Sequence, residues 1–169
     1  MGQDKFSEQL QEQLPSKDLF AAIEEQLALG RKALFTVTGM SMWPFICHGR
    51  DSVIVEAGVP DLLRVGDIVL LQTPMTNYML HRITGLKEDS FETTGDGNCF
   101  RDGWFPKECV KAKVIRIVRK GKTIDCNSPW WRFVFSIWMM LFPVRGILLR
   151  ALRQIGKFKS RIRKWQTNK

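Results

Sequence analysis

One serine, one histidine and two aspartates are the residues of this chain whose types and order could do covalent chemistry. Ser41 stands in Thr38-Gly39-Met40-Ser41-Met42-Trp43-Pro44, where a serine after a glycine-containing turn can expose its hydroxyl at a strand end. A serine hydroxyl is a weak nucleophile until a base removes its proton. His81 lies in Tyr78-Met79-Leu80-His81-Arg82-Ile83, and strand alternation puts it on the apolar face of Met79 and Ile83. A neutral imidazole there can act as a base near neutral pH, and a carboxylate is then needed to hold its tautomer. The loop Thr94-Gly95-Asp96-Gly97-Asn98-Cys99-Phe100-Arg101-Asp102 offers Asp96 and Asp102. Each residue also has a plainer reading: a turn serine, a satisfied core histidine, loop-forming aspartates. His48 beside Cys47 invites a Cys-His pair, but neighbours on an extended segment point to opposite sides.

Short strands must position these groups. Ala33–Thr38, Ser52–Val55, Asp67–Gln72, Tyr78–Thr84, Phe91–Thr94 and Val110–Val118 are alternating or β-branched runs separated by turn residues. Lys120-Gly121 predicts a tight turn into a last strand at Thr123–Cys126. Such spacing predicts a mainly β, barrel-like or sandwich domain over residues 31–126. Before it, residues 1–14 are Gln/Glu-rich and expected to fray. Ser16 can then cap a short amphipathic helix whose face is Leu19, Phe20, Ile23 and Leu27, ending at Gly30. One short helix is too little for a helix-turn-helix DNA reader. The expected divisions are an N-terminal segment 1–30, the β domain 31–126 and a tail 127–169.

The blocks Gly39-Met40-Ser41-Met42-Trp43-Pro44, Val65-Gly66-Asp67-Ile68-Val69, Leu80-His81-Arg82-Ile83 and Thr94-Gly95-Asp96-Gly97-Asn98 with Asp102 resemble, in order, the boxes of the signal peptidase I superfamily. That superfamily also holds the self-cleaving repressors. With His81 where many members carry Lys, the chain resembles the Ser-His-Asp, endoplasmic-reticulum-type branch. The likeness covers residues 33–118. It implies a signal-peptidase/repressor-protease-like β-barrel that binds an extended peptide by strand addition. It further implies Ser41 as nucleophile, His81 as general base, Asp102 as orienting carboxylate and Asp96 as second or supporting. Gly39, Met40 and Met42 would line the substrate and oxyanion region, with the Ser41 N–H as one donor. The implied activity is a serine endopeptidase cutting a leader or signal-type peptide or preprotein. Gly39 stands where family members commonly carry an oxyanion serine, which supports the alternative of a catalytically inactive peptide-binding module at the membrane surface.

The chain has 169 residues and a formal net charge of +9, which points to a polyanionic partner. Residues 1–126 hold 16 basic and 17 acidic residues, whereas 127–169 hold ten basic and none acidic. The tail begins with Trp130–Phe142, an apolar run interrupted by Pro143, and continues as a basic amphipathic helical stretch to Trp165. The run is shorter than the roughly 20 apolar residues of a bilayer span, so an interfacial helix is expected. Trp43, Phe45, Trp130, Trp131 and Trp138 are the expected membrane contacts. Tryptophan mixed with Lys and Arg favours an anionic membrane surface over nucleic acid. The first residues are polar and acidic, unlike a secretory signal, and lack the Ser or Thr of a myristoylation signal. Membrane association, peripheral or monotopic and on the cytoplasmic face, is therefore expected. Cys47, Cys99, Cys109 and Cys126 show no CxxC pair or zinc-like spacing, so reduced thiols and neither metal nor cofactor are expected.

Overall fold

Apolar residues on alternate positions build a sheet here, and two amphipathic helices close one of its faces. The computed structural model describes residues 16–75 and 77–167. In chain order the elements are α1 (Ser16–Ala28), β1 (Ala33–Thr36), β2 (Asp51–Ala57), β3 (Ile68–Gln72), β4 (Tyr78–Leu86), β5 (Ser90–Thr94), β6 (Gly103–Pro106), β7 (Val110–Arg119), β8 (Lys122–Asp125), α2 (Pro129–Met140) and α3 (Arg145–Thr167). Three single-turn 3-10 helices lie at Pro60–Leu62, Lys107–Cys109 and Phe142–Val144. Residues 1–15, on which the expectation of a frayed lead falls, are outside the described residues.

All pairings are antiparallel, in the order β1-β2-β7-β3-β4-β5-β6. β7 is the spine. Along one edge it pairs with β2; along the other its first half pairs with β3 and its second half with β8. The sheet is open, because β1 and β6 end the order without pairing to each other. Barrel closure, expected from the strand spacing, is therefore corrected. Both end strands have four residues, and Pro106 offers no N–H for a further ladder. β6 itself escaped the sequence reading: it starts at Gly103, with φ 105°, and ends in proline. The predicted Lys120-Gly121 turn has φ values of 49° and 73°, the doubly left-handed form that matches strand twist.

β3 is buried on both faces, so it feeds two clusters. Ile68 and Leu70 join Phe35, Val53, Val55, Ala112, Val114 and Ile117, covered by Ile23 and Leu27 of α1 and Phe135 of α2. Val69 and Leu71 join Leu63, Ile83, Phe91 and Val110 on the opposite side. Helices and sheet thus share a core across the expected divisions at 30/31 and 126/127. α1 is fastened further by Phe20 stacked on Tyr78 at 4.3 Å and by Tyr78 Oη donating to Glu24 at 2.8 Å. Ser128 caps α2, accepting from the Trp131 N–H at 3.4 Å, with Pro129 in the first turn.

A buried carboxylate closes the base of the long turn between β1 and β2. Asp51 is fully buried. It accepts from the Cys47 N–H at 2.9 Å and pairs with Arg50 and Arg119. Burial alone raises its pKa, but the two guanidinium groups and the Cys47 N–H outweigh that and hold the carboxyl at about 2. A carboxyl depressed on folding contributes stability above its unfolded pKa and loses it as pH falls toward the folded value. Asp51→Asn is therefore expected to melt well below the parent at neutral pH. That gap should close as pH falls from about 4 to about 2, as followed by melting curves across pH. A gap independent of pH would show that the charge contributes nothing.

Candidate active site

The turn that carries Ser41 is shaped by its backbone and pinned at both ends. Residues 37–50 leave β1 and return to β2, with Val37 N–H donating to Asp51 O at 3.0 Å and Gly49 N–H to Val37 O at 3.1 Å. Gly39 adopts φ 92°, a left-handed conformation that a side chain resists. Its N–H donates to His48 Nδ1 at 3.2 Å. This bond engages the Gly39 N–H and helps shape the turn. Among the described residues, neither the N–H nor the Oγ of Ser41 makes a hydrogen bond, so both are available to a ligand. The Met40 side chain is exposed, whereas Met42 is 2% exposed and fills the core. The Met42 side chain therefore cannot line a substrate site, which corrects that expectation.

The far end of the turn is held by the loop after β5. Gly97 N–H donates to Ser41 O at 2.7 Å. A Cβ at Gly95 would stand 2.6 Å from Ser41 O, and one at Gly97 would stand 2.9 Å from both Met40 O and Trp43 O. These two glycines let the loop pack directly on the serine turn. Arg82 pairs in register with Thr94, so Gly95 follows directly opposite the His81 end of β4. The serine turn thus sits against the strand pair that bears the histidine.

His81 and Arg82 are neighbours on β4 and point to opposite faces, and each takes one aspartate of the 94–102 loop. His81 Nδ1 lies 2.6 Å from Asp102 Oδ2, and their side chains are 8% and 9% exposed. An ionised carboxylate can only accept, so Nδ1 carries the proton and Nε2 is left as the basic nitrogen. Thr93 Oγ1 donates to the same Asp102 oxygen at 2.9 Å, and Asp102 N–H donates to Thr93 O at 2.9 Å. Arg82, buried on the other side, makes a two-pronged pair with Asp96 at 2.8 and 2.7 Å and donates to Gly66 O at 2.8 Å. Its guanidinium lies 4.0 Å from the Phe135 ring centroid. Asp96 therefore serves Arg82, and Asp102 serves His81.

Helices α2 and α3 clamp the same loop from outside. Trp138 Nε1 donates to Asp96 O at 3.1 Å, and Arg145 Nη1 donates to Gly95 O and Asn98 O at 3.4 Å each. Arg145 Nη2 reaches Trp138 O at 3.2 Å. Phe45 sits edge-on to Phe135 and Trp138, and Trp131 packs on Phe135. Of the residues expected at a membrane, Trp138 is buried, and Phe45 and Trp131 are partly buried against the core, where these aromatic rings close the sheet face. Trp43 is half-buried, with Arg153 5.7 Å over its ring, whereas Trp130 is exposed.

Asp102 lines an open cleft of about 500 Å³, with Met75, Asn77, Met79, Phe100, Arg101, Phe105, Thr73 and Pro74; Ser41 and His81 are not among its lining residues. The cleft walls and Thr93 were not singled out from sequence. Alternation does place Met79 on the His81 face, but the hairpin Thr73–Asn77 and the Phe100–Phe105 stretch meet only in the fold. Arg82 had a legible cue: a strand arginine between apolar neighbours needs a carboxylate.

Two of the cysteines are held as thiols. Burial pushes the Cys47 thiol up, with Arg50 opposing, and pushes Cys126 up to about 12, so neither is an activated thiolate. Among the described residues, no three His, Cys, Asp or Glu side chains converge as metal ligands. The loop after β5 thus touches both groups: its Asp102 meets His81 Nδ1, and its Gly97 N–H meets the carbonyl of Ser41. No protein-family model matches the chain, and no curated protein matches it.

Proposed function

We propose that the chain is a signal-peptidase-like serine endopeptidase that cuts a leader or signal-type peptide lying extended in the cleft beside Asp102. The observation that carries this reading is the 2.6 Å His81 Nδ1–Asp102 Oδ2 contact, next to a turn that leaves the Ser41 hydroxyl unengaged. The four ordered motif blocks add support: they fall on the serine turn, the start of β3, β4 and the loop after β5. They favour a signal-peptidase-like variant of the open antiparallel sheet.

In this mechanism His81 Nε2 takes the Ser41 Oγ proton as Oγ attacks the scissile carbonyl carbon. The carbonyl oxygen becomes an oxyanion and accepts from the Ser41 N–H. Asp102 holds Nδ1–H and stabilises the imidazolium without taking its proton. His81 then protonates the leaving amine and the C–N bond breaks. A water, deprotonated by His81, attacks the acyl-Ser41 ester; its oxygen ends in the released carboxyl, and Ser41 regains its proton.

The second reading is a catalytically silent peptide-binding module. Gly39, whose backbone suits glycine and supplies no hydroxyl, favours it. A fluorophosphonate probe separates the two. The endopeptidase should be labelled once, at Ser41, as located by peptide mass spectrometry, and a His81→Ala variant should not be labelled. A folded chain that binds peptides yet takes no label at Ser41 would leave the binding module as the correct reading.

A further inference from the structure

The outer faces of α2 and α3 carry an apolar ridge for which the sheet has no use. On α2, Trp130, Phe133, Ile137 and Met140 are exposed, at 67%, 57%, 40% and 79%. Their spacing puts them along one side of the helix, while Phe135 and Trp138 pack inward. The line continues across the bend through Val144 and Ile147, both exposed. Single exposed apolar residues are ordinary on a protein surface. A continuous ridge of them, beginning with tryptophan, marks a docking face.

Charge decides what docks there. Of the ten basic residues after position 126, Arg132 pairs with Asp67 at 3.0 Å and Arg145 is buried over the 95–98 loop. The other eight, Arg150, Arg153, Lys157, Lys159, Arg161, Arg163, Lys164 and Lys169, follow the ridge with no acidic residue among them. A second copy of this chain would bring an equally cationic tail against the first. Nucleic acid would match the charge but offers no apolar layer for Trp130, Phe133 and Met140. An anionic bilayer supplies both: headgroups for the cations and an acyl boundary for the ridge. No single described helix is long and apolar enough to cross a membrane, and the segments Pro129–Met140 and Phe142–Gly156 are bent by 60° at their break. Together the bent pair has the length and hydropathy of a broken span or re-entrant loop; buried Phe135, Trp138 and Leu149 and the internally paired Arg132 and Arg145 tie it to the sheet and the 95–98 loop and favour a surface seat.

We propose that the Trp130–Ile147 ridge is a membrane-docking face that seats in the interface of an anionic bilayer, with the basic stretch from Arg150 onward held on its headgroups. The proposal rests on exposure and charge and not on the peptidase reading. Because Trp138 and Arg145 bolt these helices to the loop carrying Asp96, docking fixes the site's orientation to the bilayer.

The full chain should co-sediment with vesicles of mixed phosphatidylcholine and phosphatidylglycerol. It should bind at least about 10-fold more weakly to pure phosphatidylcholine, which offers no anionic headgroups to the cations. A Trp130→Ser/Phe133→Ser/Ile137→Ser variant changes only exposed side chains. It should keep its melting temperature and bind the mixed vesicles about 100-fold more weakly, from the apolar burial it loses. Any of four results would overturn the proposal: undiminished vesicle binding by that variant, no vesicle binding by the parent, carbonate-resistant insertion, or a tail that shifts DNA while ignoring vesicles. Concentration-dependent dimers that the variant abolishes would assign the ridge to a second copy instead.

Discussion

Replacing Ser41 by Ala is expected to lower peptide cleavage by about 10⁶-fold while the protein still folds, and His81→Ala should cost about as much. In the proposed mechanism the two act as one unit: without the base the hydroxyl stays protonated, and without the hydroxyl the base has nothing to activate. The double variant should therefore be no worse than either single one. Asp102→Asn should cost less, about 10⁴-fold, because it keeps the shape of the site but presents an amide to His81 Nδ1, which can then hold the wrong tautomer. Its melting temperature should stay near the parent's, since Asp102 is also held by Thr93 Oγ1 and its N–H bonds Thr93 O. The check is mass spectrometry of cleaved peptides with parent and variants, vesicles present. Equal additive losses at Ser41 and His81, or a Ser41→Ala protein that cuts at the parent's rate, would end the mechanism.

Asp96→Asn is expected to do the reverse: a large loss of stability that reports structure before chemistry. Asp96 and Arg82 are each 1% exposed, so removing one charge leaves the other buried and uncompensated, at a cost of about 3–5 kcal/mol. For a chain of this size that lowers the melting temperature by roughly 10 °C. Removing both charges together, as Arg82→Met with Asp96→Leu, should recover much of that loss, because a buried pair and an apolar pair of similar volume are often close in stability. The contrast between the two aspartates is the diagnostic. If Asp96→Asn melts with the parent but loses cleavage, and Asp102→Asn unfolds, their roles are exchanged.

Much of the scaffold was legible because it follows local periodicity. β-branched alternation located seven of the strands to within a few residues, and Pro129 and Pro143 marked the start of α2 and the break before α3. β6 was missed because Gly103 and Pro106 carry turn chemistry inside a strand. Closure into a barrel was misjudged because strand spacing along the chain does not say which edges meet. The tail was legible as basic and amphipathic, but its tryptophans could not be sorted by exposure: Trp130 is exposed, Trp131 partly buried and Trp138 buried. Trp131 and Trp138 share composition with Trp130, and the docking of α2 on Phe45 and Arg82 decides which of them turn inward.

For the candidate site, residue types, their order and the motif resemblance singled out Ser41, His81 and two aspartates as candidates, because acyl transfer needs a nucleophile, a base and an orienting carboxylate. They could not assign the aspartates. Asp96 and Asp102 are the same residue type in one loop. Adjacent side chains of a strand point to opposite faces, so only the path of that loop around β4 gives Asp102 to His81 and Asp96 to Arg82. The same holds for the charge. Sequence alone placed the excess of basic residues in the tail. Only the packing of α2 and α3 decided that Arg132 and Arg145 are consumed internally beneath an exposed apolar ridge. Composition and periodicity are properties of neighbours along the chain, whereas pairing, burial and exposure depend on contacts between distant residues, which exist only once the chain has folded.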